Sequence, residues 1–210
     1  IAPADGTALV AFHERQSPES IYFRYFSPRP RLSEQEVSHL TTVDGVDRMA
    51  FVAERGDEVL GVARSDRYPG RNAAEVAFFT DDQMAGRGIA TLLLEYLAAY
   101  GREVGISRFE ASVLPNNRRM VRVFQAAGFD ASSAYADGII EVSFDIEPSE
   151  DAAQAMAERA RKAERQAVVR LLEPRSVAVV GAGRNPAGLG HRVLRMMLSG
   201  PFQGPVHPVH

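Results

Sequence analysis

The sequence predicts an α/β protein, a mixed sheet flanked by helices, followed by a linker helix and the opening β-α unit of a second fold. Three observations predict it. Short β-type runs alternate with helical periods through residue 146. The stretch Gly86-Arg87-Gly88 joins one such run to a long amphipathic helix. Composition then shifts at residue 147, and a new apolar run ending in Gly181-Ala182-Gly183 begins after Pro174.

The elements follow in order. Ile1-Ala2-Pro3-Ala4-Asp5 reads as the end of a first strand that is otherwise missing, then a helix start. Residues 4–16 read as a helix. Ser17 is an N-cap with Pro18 at the first helical position, opening a helix through Phe26. Ser33-x-x-Glu36 is a capping box for a helix reaching Leu40. Residues 48–54 and 59–65 read as strands around a turn at Arg55-Gly56-Asp57-Glu58, and residues 75–80 as a third. The next helix carries Ile89, Leu93, Tyr96, Leu97 and Tyr100 on one face. Strands at 109–113 and 139–144 bracket a helix from Asn117 to Gly128.

Residues 149–172 are rich in Ala, Glu and Arg, with Glu158 and Lys162 at i,i+4 and little apolar face before Val168, Val169, Leu171 and Leu172. They read as a linker helix; an extra helix packed on the first core is the alternative. Ser176 to Val180 then reads as a buried strand, with a helix around residues 190–198. This is the first unit of a Rossmann-type fold. The predicted domains are therefore 1–146, a helical linker 147–172, and a truncated unit 173–210.

The stretch from Ala74 to Ala90 carries the chemistry. Glycines at 86 and 88 let a phosphate approach the free N–H groups of the helix that follows. A plain tight turn explains the loop alone equally well. The longer pattern Gln83-x-x-Gly86-x-Gly88 resembles the acetyl-CoA loop of the GNAT superfamily of N-acetyltransferases. A second family motif follows after one helix and one strand: Asn117 opening a helix, Phe124 seven residues on, then Gly128-Phe129. The resemblance covers roughly residues 1–146. It implies acetyl-CoA as co-substrate, held by Gln83, Gly86, Arg87, Gly88, Ile89, Ala90 and Thr91. It places the pantetheine arm along the backbone of Phe78 and Thr80, where two parallel strands splay apart, with Asn117 beside it.

Acyl transfer to an amine needs a neutral amine, and a lysine amine with a reference pKa of about 10.4 is mostly charged at neutral pH. Glu75 is the candidate general base. It stands among Ala74, Val76 and Ala77, where desolvation would raise its proton affinity. The resemblance also places a catalytic Glu there. The structural alternative is an edge-strand Glu facing solvent or paired with an Arg such as Arg71. One departure is Phe124, where many GNAT enzymes carry a Tyr that protonates the leaving thiolate. Tyr135 and Tyr96 are the available hydroxyls, and nothing in the sequence brings either to the sulfur.

Residues 17–27 resemble the matching segment of bacterial protein acetyltransferases fused to an ADP-forming acyl-CoA synthetase. The string from Pro174 to Val209 resembles the start of that synthetase's CoA-binding domain. Together they imply a protein-lysine acetyltransferase acting on an AMP-forming acyl-CoA synthetase. A noncatalytic acyl-CoA-binding regulator and a small-molecule amine acetyltransferase stay open.

Composition sets the bounds. The chain has 210 residues, no cysteine and a net charge of -3. Disulfides, thiolate catalysis and Cys-ligated zinc are excluded, and nothing draws the whole chain to nucleic acid. No run approaches the roughly 18 apolar residues of a membrane span and no secretory signal is visible, so a cytoplasmic location is expected. No pair among His13, His39, His191, His207 and His210 has ligand spacing, so no metal is expected. Of the 24 basic residues only Lys162 is lysine. A GC-rich genome explains that bias; avoidance of self-modification is the alternative. The abrupt ends read as a fragment of a longer polypeptide.

Overall fold

The computed structural model describes residues 1–147 and 149–209; the side chains of residues 125, 126, 151, 152, 163 and 166–172 lie outside the description. The chain forms two compact units, Ile1–Met156 and Ala157–His210.

In the first unit a six-stranded sheet runs in the order β1-β2-β3-β4-β6-β5. Its strands are β1 (Arg48–Arg55), β2 (Glu58–Arg67), β3 (Ala73–Thr80), β4 (Arg108–Val113), β5 (Ala131–Ala136) and β6 (Ile139–Asp145). Only β3 and β4 pair in parallel; the other neighbours are antiparallel. The β1–β2 turn is two residues long, with Gly56 at φ 62°, and Arg55 and Glu58 pair across it at 2.9 Å.

The helices of this unit are α1 (Gly6–Glu14), α2 (Pro18–Tyr25), α3 (Glu34–Thr41), α4 (Ile89–Glu103) and α5 (Arg118–Ala126). Both expected caps form. Ser17 Oγ accepts from Ser20 N–H at 3.2 Å, and Ser33 and Glu36 close a reciprocal box. The predicted first helix is split, a 3-10 turn at Pro3–Asp5 preceding α1.

Strand alternation sorts the core into two layers. Ala74, Val76 and Phe78 of β3 join Leu93, Leu94 and Leu97 of α4 and Phe124 of α5. Phe79 packs on the other face with Leu9 and Phe12 of α1 and Ile21 of α2. The buried face of α4 is turned from the predicted one. Leu94 and Ala98 are fully buried, whereas Tyr96 is 59% exposed with its ring tilted onto Phe51. Tyr100 remains useful at the rim, its hydroxyl donating to Gly45 O at 2.7 Å.

Strand β5 has no counterpart in the sequence reading. Its run Ala131-Ser132-Ser133-Ala134 is small and polar, and pairing with β6 makes it a strand. Asp137 and Gly138 at its end both have positive φ, 50° and 83°, the hairpin turn that an Asp-Gly pair signals.

The helix α6 (Glu150–Leu172) covers the predicted linker, and the division between the units falls within it. The expected apolar positions Val168, Val169, Leu171 and Leu172 lie outside the described side chains. The second unit carries β7 (Val177–Val180), α7 (Leu189–Ser199) and β8 (Val206–Val209), with the two strands parallel. A Cβ at Gly190 would meet Gly181 O at 2.1 Å, so only glycine lets α7 approach the loop that follows β7.

Candidate active site

The site is built where β3 and β4 part. Their ladder contains only Ala73↔Arg108, Ala74↔Phe109 and Glu75↔Glu110. Beyond Glu75, β3 stays paired with β2 as far as Thr80. Backbone groups of a strand point alternately to its two neighbours. Asp81 N–H donates to Leu60 O at 2.9 Å and Tyr68 N–H to Ala73 O at 3.0 Å, so the odd-numbered residues of β3 face β2. The amides of Phe78 and Thr80 therefore turn toward β4, where no strand meets them. The same alternation applies to β4. Ile146 N–H donates to Ser107 O on the β6 side, which leaves the backbone of Ser112 facing the gap.

The gap opens into a cavity of about 810 Å³. Glu75, Phe78, Thr80, Gly86, Gly88, Ile89, Ala90 and Asn117 all line it, which brings most of the sequence-predicted site together. Gln83, Arg87 and Thr91 do not line it. Gln83 is exposed on a short 3-10 turn, its N–H bonded to Asp81 Oδ1 at 2.9 Å.

The glycine loop is left-handed at both positions, Gly86 at φ 75° and Gly88 at φ 81°. Nothing lies within 4 Å of a Cβ built at either residue. Glycine is needed there for backbone shape, and the space in front stays clear. Gly88 caps α4 and no side chain bonds to the cap, so the first-turn N–H groups face outward at the positive end of a 15-residue helix. Unpaired strand amides, an uncapped helix start and a cavity within the usual size range fit a long, phosphate-bearing acyl donor such as acetyl-CoA.

Asn117 serves as the cap of α5, its Oδ1 accepting from Met120 N–H at 3.2 Å. Among the described residues its side-chain N–H groups make no hydrogen bond, and the residue lines the cavity. Phe124 is 1% exposed and packs edge-on against Phe78 at 5.9 Å. Tyr96 and Tyr135 do not line the cavity, and Tyr135 is 71% exposed. No tyrosine hydroxyl lines the cavity among the described residues.

Glu75 stands at the fork, on the face that α2 covers. Here the sequence reasoning needs correction. Its apolar neighbours Ala74 and Val76 do not desolvate it, because Ala74 and Val76 point into the α4 layer while Glu75 points away and is exposed. Nor does Arg71 hold it: Arg71 donates to Glu110 Oε1 at 2.9 Å. Among the described residues Glu75 forms no ion pair. The Tyr68 hydroxyl feels the cluster. Its pKa is raised by partial burial and then by the negative charges of Glu110 and Glu75.

Two groups of cavity residues escaped the sequence reading. Arg24 of α2 lines the wall, its guanidinium 5.0 Å from the Tyr25 ring, and burial lowers its pKa. Arg118, Arg119 and Arg122 line it from α5. The signal was present in Asn116-Asn117-Arg118-Arg119, directly beside the second motif.

Asp82 fastens α2 to the loop. Its carboxylate accepts from Ser17 N–H at 2.8 Å and Ser20 Oγ at 2.5 Å. Desolvation pushes its pKa up, but the bonds from Ser20 and Ser17 and the charge of Arg119 outweigh this, so the net shift is downward. Among the described residues no cluster of three His, Asp or Glu could hold a metal, and no helix is long and apolar enough to cross a membrane.

Comparison with known proteins agrees with this geometry. The profile of the acetyltransferase (GNAT) family matches residues 10–129. Acetyltransferase Pat of Mycolicibacterium smegmatis is 35% identical over 116 residues, covering 53% of this chain. The match spans 34% of that relative, so the chain corresponds to about a third of its length. The crystal structure of the GNAT domain of S. lividans PAT superposes with a TM-score of 0.65 at 42% identity, covering 69% of this chain and 87% of that one. A phosphinothricin acetyltransferase from Sinorhizobium meliloti, solved in complex with AcCoA, shares the fold at a TM-score of 0.56 and 17% identity, covering 71% and 91%.

Proposed function

The chain belongs to the acetyltransferase (GNAT) family, and on that premise we propose that it moves the acetyl group of acetyl-CoA to the side-chain amine of a protein lysine. It is an acetyltransferase, and enzymes of this family use acetyl-CoA. The observation that carries the finer reading is the fork: Glu75 is the last β3 residue paired with β4, exposed and, among the described residues, without an ion pair, at the head of a gap whose other end is the glycine loop.

The chain's residues divide the work. The first turn of α4 and the Gly86–Gly88 loop would hold the pyrophosphate. The amides of Phe78 and Thr80 would pair with the pantetheine arm as a missing strand would. Asn117 would donate to it from the cap of α5. The thioester then lies against the fork, and the acceptor arrives on the α2 face, where Glu75 takes a proton from the ammonium group. The neutral amine attacks the thioester carbonyl; the C–S bond breaks as the C–N bond forms, CoA leaves as the thiolate, and the new amide nitrogen releases its remaining extra proton to water. Phe124 cannot protonate the sulfur. A thiol of ordinary pKa, about 8.5, leaves tolerably as the thiolate, so the reaction does not require that acid.

The protein acceptor is inferred from likeness to two Pat-type acetyltransferases and from the chain's division. The β7–α7–β8 unit, with Gly190 packed on Gly181, supports a CoA-binding module of the ADP-forming acyl-CoA synthetase type from residue 173, after a linker from 147. In such a fusion an AMP-forming acyl-CoA synthetase is the expected acceptor and the cytoplasm the expected location. The test is incubation with acetyl-CoA and an AMP-forming acyl-CoA synthetase, followed by mass spectrometry of its lysines. Acetylation of one synthetase lysine supports the proposal. CoA release with small amines and none with the protein would replace it by a small-molecule acetyltransferase.

A further inference from the structure

We infer that the first turn of α5 is a phosphate-reading port, in which Arg118, Arg119 and Arg122 recognise the 3′-phosphate of CoA and select acetyl-CoA over its dephospho form. This rests on the reading of the cavity as the acetyl-CoA site.

The starting point is a helix that breaks the usual charge rule. Cations at a helix N-terminus oppose the macrodipole. Both α2 and α3 obey the rule, with Glu19 in one first turn and Glu34 and Glu36 in the other. Helix α5 begins Arg118-Arg119, adds Arg122, and contains no acidic residue. Arg118 and Arg122 are also like charges at i,i+4, a further repulsion.

Packing does not explain these positions. Met120, Val121 and Val123 carry the contact with the core, and Phe124 is buried, so the arginines fall outside that stripe and are exposed. Nor are they neutralised. Arg15, Arg29, Arg48, Arg55, Arg64, Arg67, Arg71 and Arg108 each pair with a carboxylate. Among the described residues Arg118, Arg119 and Arg122 form no ion pair. The carboxylate of Asp82, whose charge couples to Arg119, is already bonded to Ser17 and Ser20.

All three arginines line the cavity that the glycine loop borders. A local rule broken without internal compensation at a cavity wall points to a ligand. The ligand's charge fits: the α4 loop accounts for the pyrophosphate of acetyl-CoA, and one phosphate, the 3′-phosphate, is left over. Guanidinium groups match phosphate oxygens in a planar, two-pronged geometry. Each exposed charge pair adds up to about fivefold in affinity, so three set an expected preference of roughly 10- to 100-fold.

The test is calorimetric titration of the whole chain with CoA and with 3′-dephospho-CoA at low salt. The same titrations are made on R118Q, R119Q, R122Q and the triple variant, with circular dichroism confirming the fold. The expected result is a preference for CoA that shrinks in each single variant and vanishes in the triple, with dephospho-CoA affinity nearly unchanged. Equal affinity of the native chain for both ligands, or a preference surviving in the folded triple variant, overturns the port. Failure of the native chain to bind either ligand overturns the acetyl-CoA reading itself and the port with it.

Discussion

Replacing Asp82 with Ala should loosen the acceptor-side helices from the co-substrate loop. The carboxylate takes hydrogen bonds from Ser17 N–H at 2.8 Å and Ser20 Oγ at 2.5 Å, both at the start of α2. Hydrogen bonds to a charged group are worth about 1.5–3 kcal/mol each when buried, and this pair is only half-buried. A total loss of about 2–3 kcal/mol follows. In a domain of this size that lowers the melting temperature by roughly 4–12 °C. The pH dependence has a definite sign. The folded carboxyl has a pKa below its unfolded one, so its stabilisation is complete above the unfolded value near 4 and is lost as pH falls through the folded value. Thermal melts of the native chain and the variant, stepped from pH 7 to pH 3, should differ by a constant amount above about pH 5 and draw together as the pH falls below about 4. A constant difference across the whole range would mean that Asp82 acts through packing, not charge.

Gly88→Asp should abolish acetyl-CoA binding while the chain stays folded, since no atom lies within 4 Å of the new Cβ; the left-handed φ of 81° costs about 1–2 kcal/mol. Unchanged affinity in calorimetry would remove the pyrophosphate from α4. Phe124→Tyr adds a hydroxyl at the cavity wall and should leave turnover within about threefold, because a thiol of pKa about 8.5 leaves as the thiolate without prior protonation; a rise of a hundredfold would show that loss of the acid limits the native chain. Lys162 is exposed and is the only lysine, so self-acetylation on a side chain is confined to it. No ion pair with Glu158 forms among the described residues, and one at i,i+4 would contribute only about 0.2–0.5 kcal/mol, so slow, minor modification is expected by mass spectrometry; stoichiometric acetylation that changes activity would make α6 a regulatory element.

What the sequence made legible were features whose cause is local. Gly86 and Gly88 need positive φ, Ser17 and Ser33 cap helices through their own hydroxyls, and each requirement shows in a single residue and its spacing. Glu75 does line the cavity, but the reason read from the sequence, desolvation by its apolar neighbours, does not hold. Neighbours along a strand lie on opposite faces, so an apolar run says nothing about the environment of the one residue turned the other way. Strand β5 escaped because Ser132 and Ser133 have little strand preference of their own and become a strand only against β6. The arginines of α5 escaped because a basic surface run reads as solvation until the fold puts it at a cavity wall.

The central claim is that Glu75 at the fork is the general base for acetyl transfer. Glu75→Gln keeps shape and removes the base. With acetyl-CoA and the acceptor synthetase at pH 7, turnover should fall by roughly 10²–10⁴-fold, while calorimetric acetyl-CoA affinity stays near native and the rate partly recovers at high pH as the amine loses its proton unaided. Native turnover at pH 7 in that variant would contradict the account and leave Glu75 as an exposed strand residue without a part in catalysis.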